Sequence, residues 1–311
     1  MKKETRDRVL KAAKKAGYRY NPLAGALMSE MRRSSVGVFQ GVLAVVDLES
    51  SEQRMSTAKR YHREVAEGCR EKALELGFKT EVFVMGSEHL SVSRLDTILK
   101  SRGIRGVVLL PAATDPDISN LRWENFAGVY TDYIIELPAL DTVCSDHFRS
   151  MVVALLKLRE LGYKRPGLVL HEAHDRRLLY RWEAAFRMHS LNTLGHDSLE
   201  PLVAADLSEA AFSKWFKKQK PDVVLCHRME VMEWMETLGA KIPETHGFCC
   251  LNTMMSEAPV SGLDLRPRLI GKRATELLVG QLHRNDYGVP ETASTTTIPA
   301  VWIDGPTTCP Q

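Results

Sequence analysis

No window of the 311-residue chain approaches the ~18 consecutive apolar residues of a membrane span, and its first fifteen, MKKETRDRVLKAAKK, are too charged for a secretory leader. Membrane and export are thus not expected, and a cytoplasmic location is. The six cysteines, Cys69, Cys144, Cys226, Cys249, Cys250 and Cys309, show no C-x-x-C spacing, and most lie in or beside apolar runs, so reduced buried thiols are expected rather than disulfides or zinc. No G-x-x-x-x-G-K-[ST] loop, G-x-G-x-x-G turn or G-x-S-x-G elbow occurs, which leaves catalysis without positive support. The run His171-Glu172-Ala173-His174-Asp175 crowds metal-ligand types together. It follows a strand and lacks the H-E-x-x-H spacing that places two histidines on one helical face, and it reads as a loop at a cleft mouth. Neither a metal nor a cofactor is expected. The tail ETASTTTIPAVWIDGPTTCPQ has no leucine heptads, which disfavours a coiled-coil-tethered tetramer and favours a dimer.

What is present is enough for two domains: a hydrophobic content of 44% can build real cores at this length. The net charge of +3 is unevenly spread. Residues 1–35 carry ten Lys or Arg against three acids, giving +7, and the remainder sums to −4. A basic head on a mildly acidic body suits contact with a polyanion, since each cation near a phosphate releases a condensed counterion; a solvated Lys-rich helix face is the other reading.

Within that head, Thr5 to Ala16 predicts a helix with Val9, Ala12, Ala13 and Ala16 on one stripe and Gly17 ending it. Asn21-Pro22 then starts a second helix, Pro22 to Arg32, with Leu23, Leu27 and Met31 along one narrow edge suited to pairing with a copy of itself. The run TRDRVLKAAKKAGYRYNPLAGAL resembles the last headpiece helix and hinge helix of the lactose-repressor (LacI/GalR) family of transcriptional regulators. The resemblance implies that paired hinge helices enter the minor groove of DNA, with Leu27 wedged between base steps and Asn21 and Ala24 at the family's offsets. Arg32 and Arg33 add positive charge at the helix end. The helix-turn-helix that precedes this segment in the family is missing, which leaves open a start codon assigned too late, a trimmed chain or a natural loss.

From residue 41 apolar strand-like runs alternate with amphipathic helices. Strands are predicted near Val42–Val46, Thr80–Val84, Gly106–Leu110, Gly128–Asp132, Gly167–Leu170, Val223–Cys226 and Phe248–Leu251. Helices are predicted near Ala58–Leu76, Ser91–Ser101, Met151–Leu161, Leu178–His189, Glu209–Lys218 and Glu230–Leu238. This is an α/β pattern of parallel sheets covered on both faces, in two lobes. Ligands on such sheets bind beyond the carboxyl ends of the strands, which directs attention to Asp47, Asp132, Asp146, His147, His171, His227, Arg228 and Asn252. Each of these residue types also serves as a helix cap or a surface group.

The resemblance continues through LRELGYKRPGLVL, Arg181-Trp182-Glu183-Ala184 and LDLRPRLIGKRATELLVGQL. It implies a periplasmic-binding-protein-like body with three crossovers. The lobes are expected at 41–142 plus about 256–290 and at 143–255 plus about 291–311, behind a partial all-α headpiece and hinge helix at 1–35. It also implies that Asp132, Asp146 and Arg181 hydrogen-bond a sugar or purine effector in the cleft. Trp182 is placed to stack on a ring-shaped ligand or to pack as core. Departures stand beside the matches: His227-Arg228 replace an expected Asn-Asp, Leu251-Asn252-Thr253 replace Gly-Phe-Asp, and Ser150-Met151 replace a pair of glycines.

The function expected is a homodimeric repressor in which a sugar-like metabolite binds between the lobes, alters hinge-helix geometry and shifts affinity for operator DNA. The alternatives are a cytosolic solute-binding protein, an effector-binding relic without DNA binding, and an α/β enzyme acting on sugars or nucleosides through the histidines near 171 and 227.

Overall fold

The computed structural model describes residues 11, 40–49, 56–86, 90–112, 117–133, 137–194 and 198–311. The headpiece and hinge expected at 1–35, with Asn21, Ala24, Leu27, Arg32 and Arg33, lie outside the described residues apart from Lys11. Gly41 to Gln311 form one compact unit.

That unit holds two six-stranded sheets. The first contains β1 (Gly41–Asp47), β2 (Phe78–Val84), β3 (Gly106–Leu109), β4 (Ala127–Tyr130), β5 (Asp141–Ser145) and β11 (Thr295–Ile298), in the order β11-β5-β4-β3-β1-β2. Every pairing in it is parallel. The second contains β6 (Pro166–His171), β7 (Leu202–Ala204), β8 (Val223–Cys226), β9 (Gly247–Cys250), β10 (Gly262–Asp264) and β12 (Val301–Ile303), in the order β12-β10-β9-β8-β6-β7. It is parallel except at its β12 edge. The sequence explains the layering: GVVL, AGVY, VVLC and GFCC are buried at every position, as strands covered on both faces must be.

The helices covering the sheets are α1 (Ser56–Glu75), α2 (Val92–Ser101), α3 (His147–Glu160), α4 (Glu172–Arg177), α5 (Arg181–Leu194), α6 (Glu209–Gln219), α7 (Glu230–Thr237) and α8 (Pro267–Arg284). Ser91 caps α2, its side chain accepting from the Arg94 N–H at 3.2 Å, and Ser208 caps α6. Each sheet carries an apolar layer on either face: Ala44, Leu99 and Trp123 against Val45, Val65 and Ile270 in the first, and Leu168, Trp182 and Phe186 against Val169, Phe212 and Phe248 in the second. Helices α1 and α8 approach each other closely. A Cβ added at Gly68 would lie 2.0 Å from the Arg268 carbonyl oxygen, and one at Gly271 would lie 2.0 Å from that of Val65.

Sheet membership corrects the expected lobe boundaries. Residues 143–145 of β5 and the whole of β11 pair in the first sheet, and β10 pairs in the second, so divisions at 142, 256 and 291 do not follow the strands. Beta11 was illegible because TTTI is an edge strand exposed at its three threonines, without apolar alternation. The chain passes between the sheets three times: after β5, between β10 and α8, and at Pro299-Ala300 between β11 and β12. The first and third passages are tied together. Asp146 accepts from the Thr297 hydroxyl at 3.2 Å, and Ser150 accepts from the Ala300 N–H at 3.0 Å, giving a use to the serine that stands where glycine was expected.

Candidate ligand-binding site

In both sheets the strand order reverses beside a central strand, β1–β3 in one and β6–β8 in the other, the place where open α/β sheets leave a crevice beyond their carboxyl ends. A cavity of about 590 Å³ lies there. The first sheet's side supplies Glu49 after β1, Pro111 and Ala112 after β3, Thr131 and Asp132 after β4, and Ser145 ending β5, while Ala58, Tyr61 and His62 come from α1. From the second sheet's side come His171 ending β6, His174 and Arg177 on α4, Trp182, His227 to Glu230 after β8, and Leu251 and Asn252 after β9.

Seven of the ten residues selected from sequence reach this cavity: Asp132, His147, His171, Trp182, His227, Arg228 and Asn252. Asp132 is buried, accepts from the Tyr133 N–H at 2.9 Å and is ion-paired with Arg177. The same guanidinium donates to the Ala112 carbonyl at 3.1 Å, so a side chain of the second lobe is fastened twice to the first. Arg60 of α1 makes a second fastening, donating to the carbonyls of Met254 and Ser256, the latter at 2.8 Å. Arg228 is ion-paired with Glu230. Asn252 lines the cavity while its side chain accepts from the Met254 N–H at 3.2 Å.

Asp47, Asp146 and Arg181 are not among the lining residues. Asp47 is buried behind His62, with 3.7 Å between its carboxylate and Nδ1. Asp146 is the N-cap of α3, accepting from the Arg149 N–H at 2.9 Å, and its other oxygen takes the Thr297 hydroxyl. Arg181 lies over the Tyr133 ring, 4.4 Å from its centroid. In this structure these three build the wall and the crossover rather than its inner surface.

The inner surface is unusually rich in imidazole. His147, the first residue of α3, is 5% exposed, edge-on to Trp182 at 4.9 Å and tilted toward Tyr133 at 5.6 Å. His227 is stacked on His174, with centroids 4.2 Å apart and planes 15° from parallel. Burial, reinforced by Arg177 and Arg181, pushes His147 down to about 3; burial, with Arg228, His171 and Arg177, pushes His227 down to about 3 as well. His174 is driven the same way, by burial first and then by His227. The three rings are therefore neutral at pH 7. Among the described residues, Nδ1 of His62, His147 and His227 are buried without a hydrogen-bond partner.

Sequence reasoning missed Tyr61, His62, His174 and Arg177 as cavity residues. His174 sat in a run read as a loop, which is instead the short helix α4. Arg177 gave no signal, because nothing in six residues of sequence shows which of Arg176 and Arg177 turns inward. Trp182 is only 1% exposed, so it is at once core and cavity wall. Its position depends on Asp175, fully buried, whose carboxylate accepts from the N–H groups of Trp182 at 3.1 Å and Glu183 at 3.3 Å at the start of α5. Asp175→Ala is expected to cost about 1–2 kcal/mol, as loss of a helix cap does, and to alter Trp182 fluorescence in the folded state; unchanged unfolding and emission would contradict that role.

Among the described residues, no group of three or more His, Cys, Asp or Glu could hold a metal ion, and no helix is long and apolar enough to cross a membrane. Residues 155–308 match the family model of the periplasmic binding protein-like domain. No curated protein matches the sequence. Among solved structures, the chain is similar to the transcriptional regulator CelR in complex with cellobiose, at 18% identity and a TM-score of 0.63 over 99% of this chain and 91% of that one. Transcription regulator CcpA of Lactococcus lactis is similar over 86% and 100%, at 14% identity and a TM-score of 0.62. The lac repressor dimer bound to operator and the anti-inducer ONPF is similar over 98% and 90%, at 16% identity and a TM-score of 0.59. Two parallel-dominated sheets joined by three crossings, a cleft between their carboxyl ends and these likenesses agree: the chain has a periplasmic-binding-protein-like fold, the fold seen in these LacI-type regulators.

Proposed function

We propose that this chain is the sensor body of a ligand-responsive transcriptional regulator of the repressor type, acting as a homodimer. A small metabolite, sugar-like in size and hydroxyl content, binds between the lobes and shifts the geometry of the hinge helices, and with it the affinity for DNA. The observation that carries this reading is the cavity itself, which is about 590 Å³ and so within the range of small-molecule sites. Both lobes line it, and Arg177 spans it to Asp132 and Ala112. A molecule that replaces or reinforces that span discriminates between open and closed lobes, which is what linkage to a distant DNA site requires. Asn21, Ala24, Leu27, Arg32 and Arg33 are the proposed DNA contacts.

The test is a thermal-shift screen against mono- and disaccharides, uronic acids and nucleobases. A true effector at a hundred times its Kd adds about 2.7 kcal/mol of stability, a saturable rise in Tm. Asp132→Ala is expected to weaken that effector at least tenfold, because a charge-assisted contact is lost and Arg177 is left without its carboxylate. An effector whose affinity ignores this substitution does not sit in this cleft.

A further inference from the structure

Two arginines cross the cleft in opposite directions. Arg177, on α4 of the second lobe, is ion-paired with Asp132 and donates to the Ala112 carbonyl at 3.1 Å, both in the first lobe. Arg60, on α1 of the first lobe, donates to the carbonyls of Met254 and Ser256, the latter at 2.8 Å, in the segment that follows β9 of the second. In each case donor and acceptors sit on different lobes, so the bonds are made only while the lobes are close and are exchanged for water when they part. Hydrogen bonds from a charged donor are stronger than neutral ones, and a largely buried ion pair is screened by salt much less than an exposed one. Arg228 provides the contrast: its partner Glu230 is two residues away in the same lobe, so that pair is indifferent to the width of the cleft.

The backbone behind Arg177 holds it in place. Leu179 and Tyr180 are consecutive non-glycine residues in the left-handed region, with φ of 56° and 57°. Such a pair is costly for side chains with a Cβ and persists only where its surroundings over-determine it, as they do at clamps and switches. Asp175 supplies that constraint: its carbonyl accepts from the N–H groups of Leu178 at 2.9 Å and Tyr180 at 2.8 Å, and its carboxylate from those of Trp182 and Glu183. The turn stops α4 immediately after Arg177 and keeps it from running on into α5, so the arginine stands at the end of a short, fixed helix. We propose that Arg177 and Arg60 form a latch belonging to the chain itself: they hold the lobes closed whatever occupies the cleft. A molecule that engages Asp132 does so at the expense of Arg177, so binding there and latching oppose each other.

The experiment measures lobe separation in the whole chain, without added ligand, by double electron–electron resonance between spin labels at Asn120→Cys in the first lobe and Glu236→Cys in the second, both exposed. Cys309 is replaced by serine, since the other five native thiols are buried, and unlabelled chain is kept in excess so that each labelled chain reports on itself. With both arginines present a single short distance is expected. Arg177→Met and Arg60→Met are each expected to raise the fraction of longer distances at least threefold, and the double variant to raise it further. Arg187→Met is the control, because its partners Glu183 and Glu200 share its lobe, and it is expected to leave the distribution unchanged. Should Arg177→Met fail to fold, Arg177→Lys, which keeps the charge and loses the forked donor, is expected to give a smaller shift in the same direction. A broad or long distribution with both arginines in place overturns the proposal, as does a short one that survives loss of both. Either result leaves the cleft reading standing, because the response of an effector to Asp132→Ala tests that separately.

Discussion

Gly68→Ala and Gly271→Ala are each expected to destabilise the chain by about 3 kcal/mol, measured by urea unfolding, although alanine is the better helix former by about 1 kcal/mol. The propensity gain is real at both sites, since both lie inside helices. It is outweighed because the added methyl meets backbone: the carbonyl oxygen of Arg268 in one case and of Val65 in the other, each 2.0 Å away. No rotamer change relieves such a clash. Relief requires α1 and α8 to move apart, which loosens the layer of Val65, Cys69, Ile270 and Ala274 between them and strains the pairs Arg268–Glu64 and Lys272–Glu71. Gly280→Ala is the internal control. There the new methyl meets only the end of the Arg284 side chain, 3.3 Å away and free to swing, so stability is expected to hold or rise by up to ~1 kcal/mol. Equal effects at the three sites would show that the helices separate without penalty. Because α1 also carries Tyr61 and His62, the two damaging substitutions are expected to weaken effector binding from a distance.

The second large effect is one of pH. In the unfolded chain His147 and His227 take up protons below about pH 6.5, whereas in the fold both are held near 3. Between those values the unfolded state binds more protons, so stability is complete above pH 6.5 and falls as the solution is acidified. Each imidazole costs about 1.4 kcal/mol per pH unit, so the pair removes about 3 kcal/mol by pH 5.5. His174 acts in the same direction. Denaturant midpoints recorded from pH 7.5 to 5.5 are expected to fall steeply and to flatten in His147→Gln and His227→Gln. A native profile level through this window would mean that these rings are not buried neutral groups.

The fold was legible because its information is local. Runs such as VVLC and GVVL announce strands buried on both faces, and the helices between them show their periodicity; Val223–Cys226 matches to the residue. The strands that escaped notice, β5, β7, β10, β11 and β12, are short or lie toward sheet edges, where partners rather than propensity make a strand. The site was half legible. The rule that ligands gather beyond strand ends found Asp132, His227 and Asn252. It also selected Asp47 and Asp146, since a carboxylate that caps a helix and one that faces a ligand look alike in sequence. What no local pattern contains is pairing across the cleft. Arg177 lies 45 residues from Asp132, and only the packing of one lobe on the other brings them together.

On the proposed function, the three passages between the sheets would also determine what kind of message the molecule carries. β11 lies beside β5 in one sheet and β12 beside β10 in the other, and the bonds from Asp146 to Thr297 and from Ser150 to Ala300 lash two of the passages together. Thin strips mounted side by side in this way make a flexure: compliant about one axis, stiff against sliding or twisting. Under the proposed function, the presence of whatever molecule the cleft takes would be compressed into a single angle, and ligands of different shape that impose the same angle would be, to anything fastened at the far end, one signal.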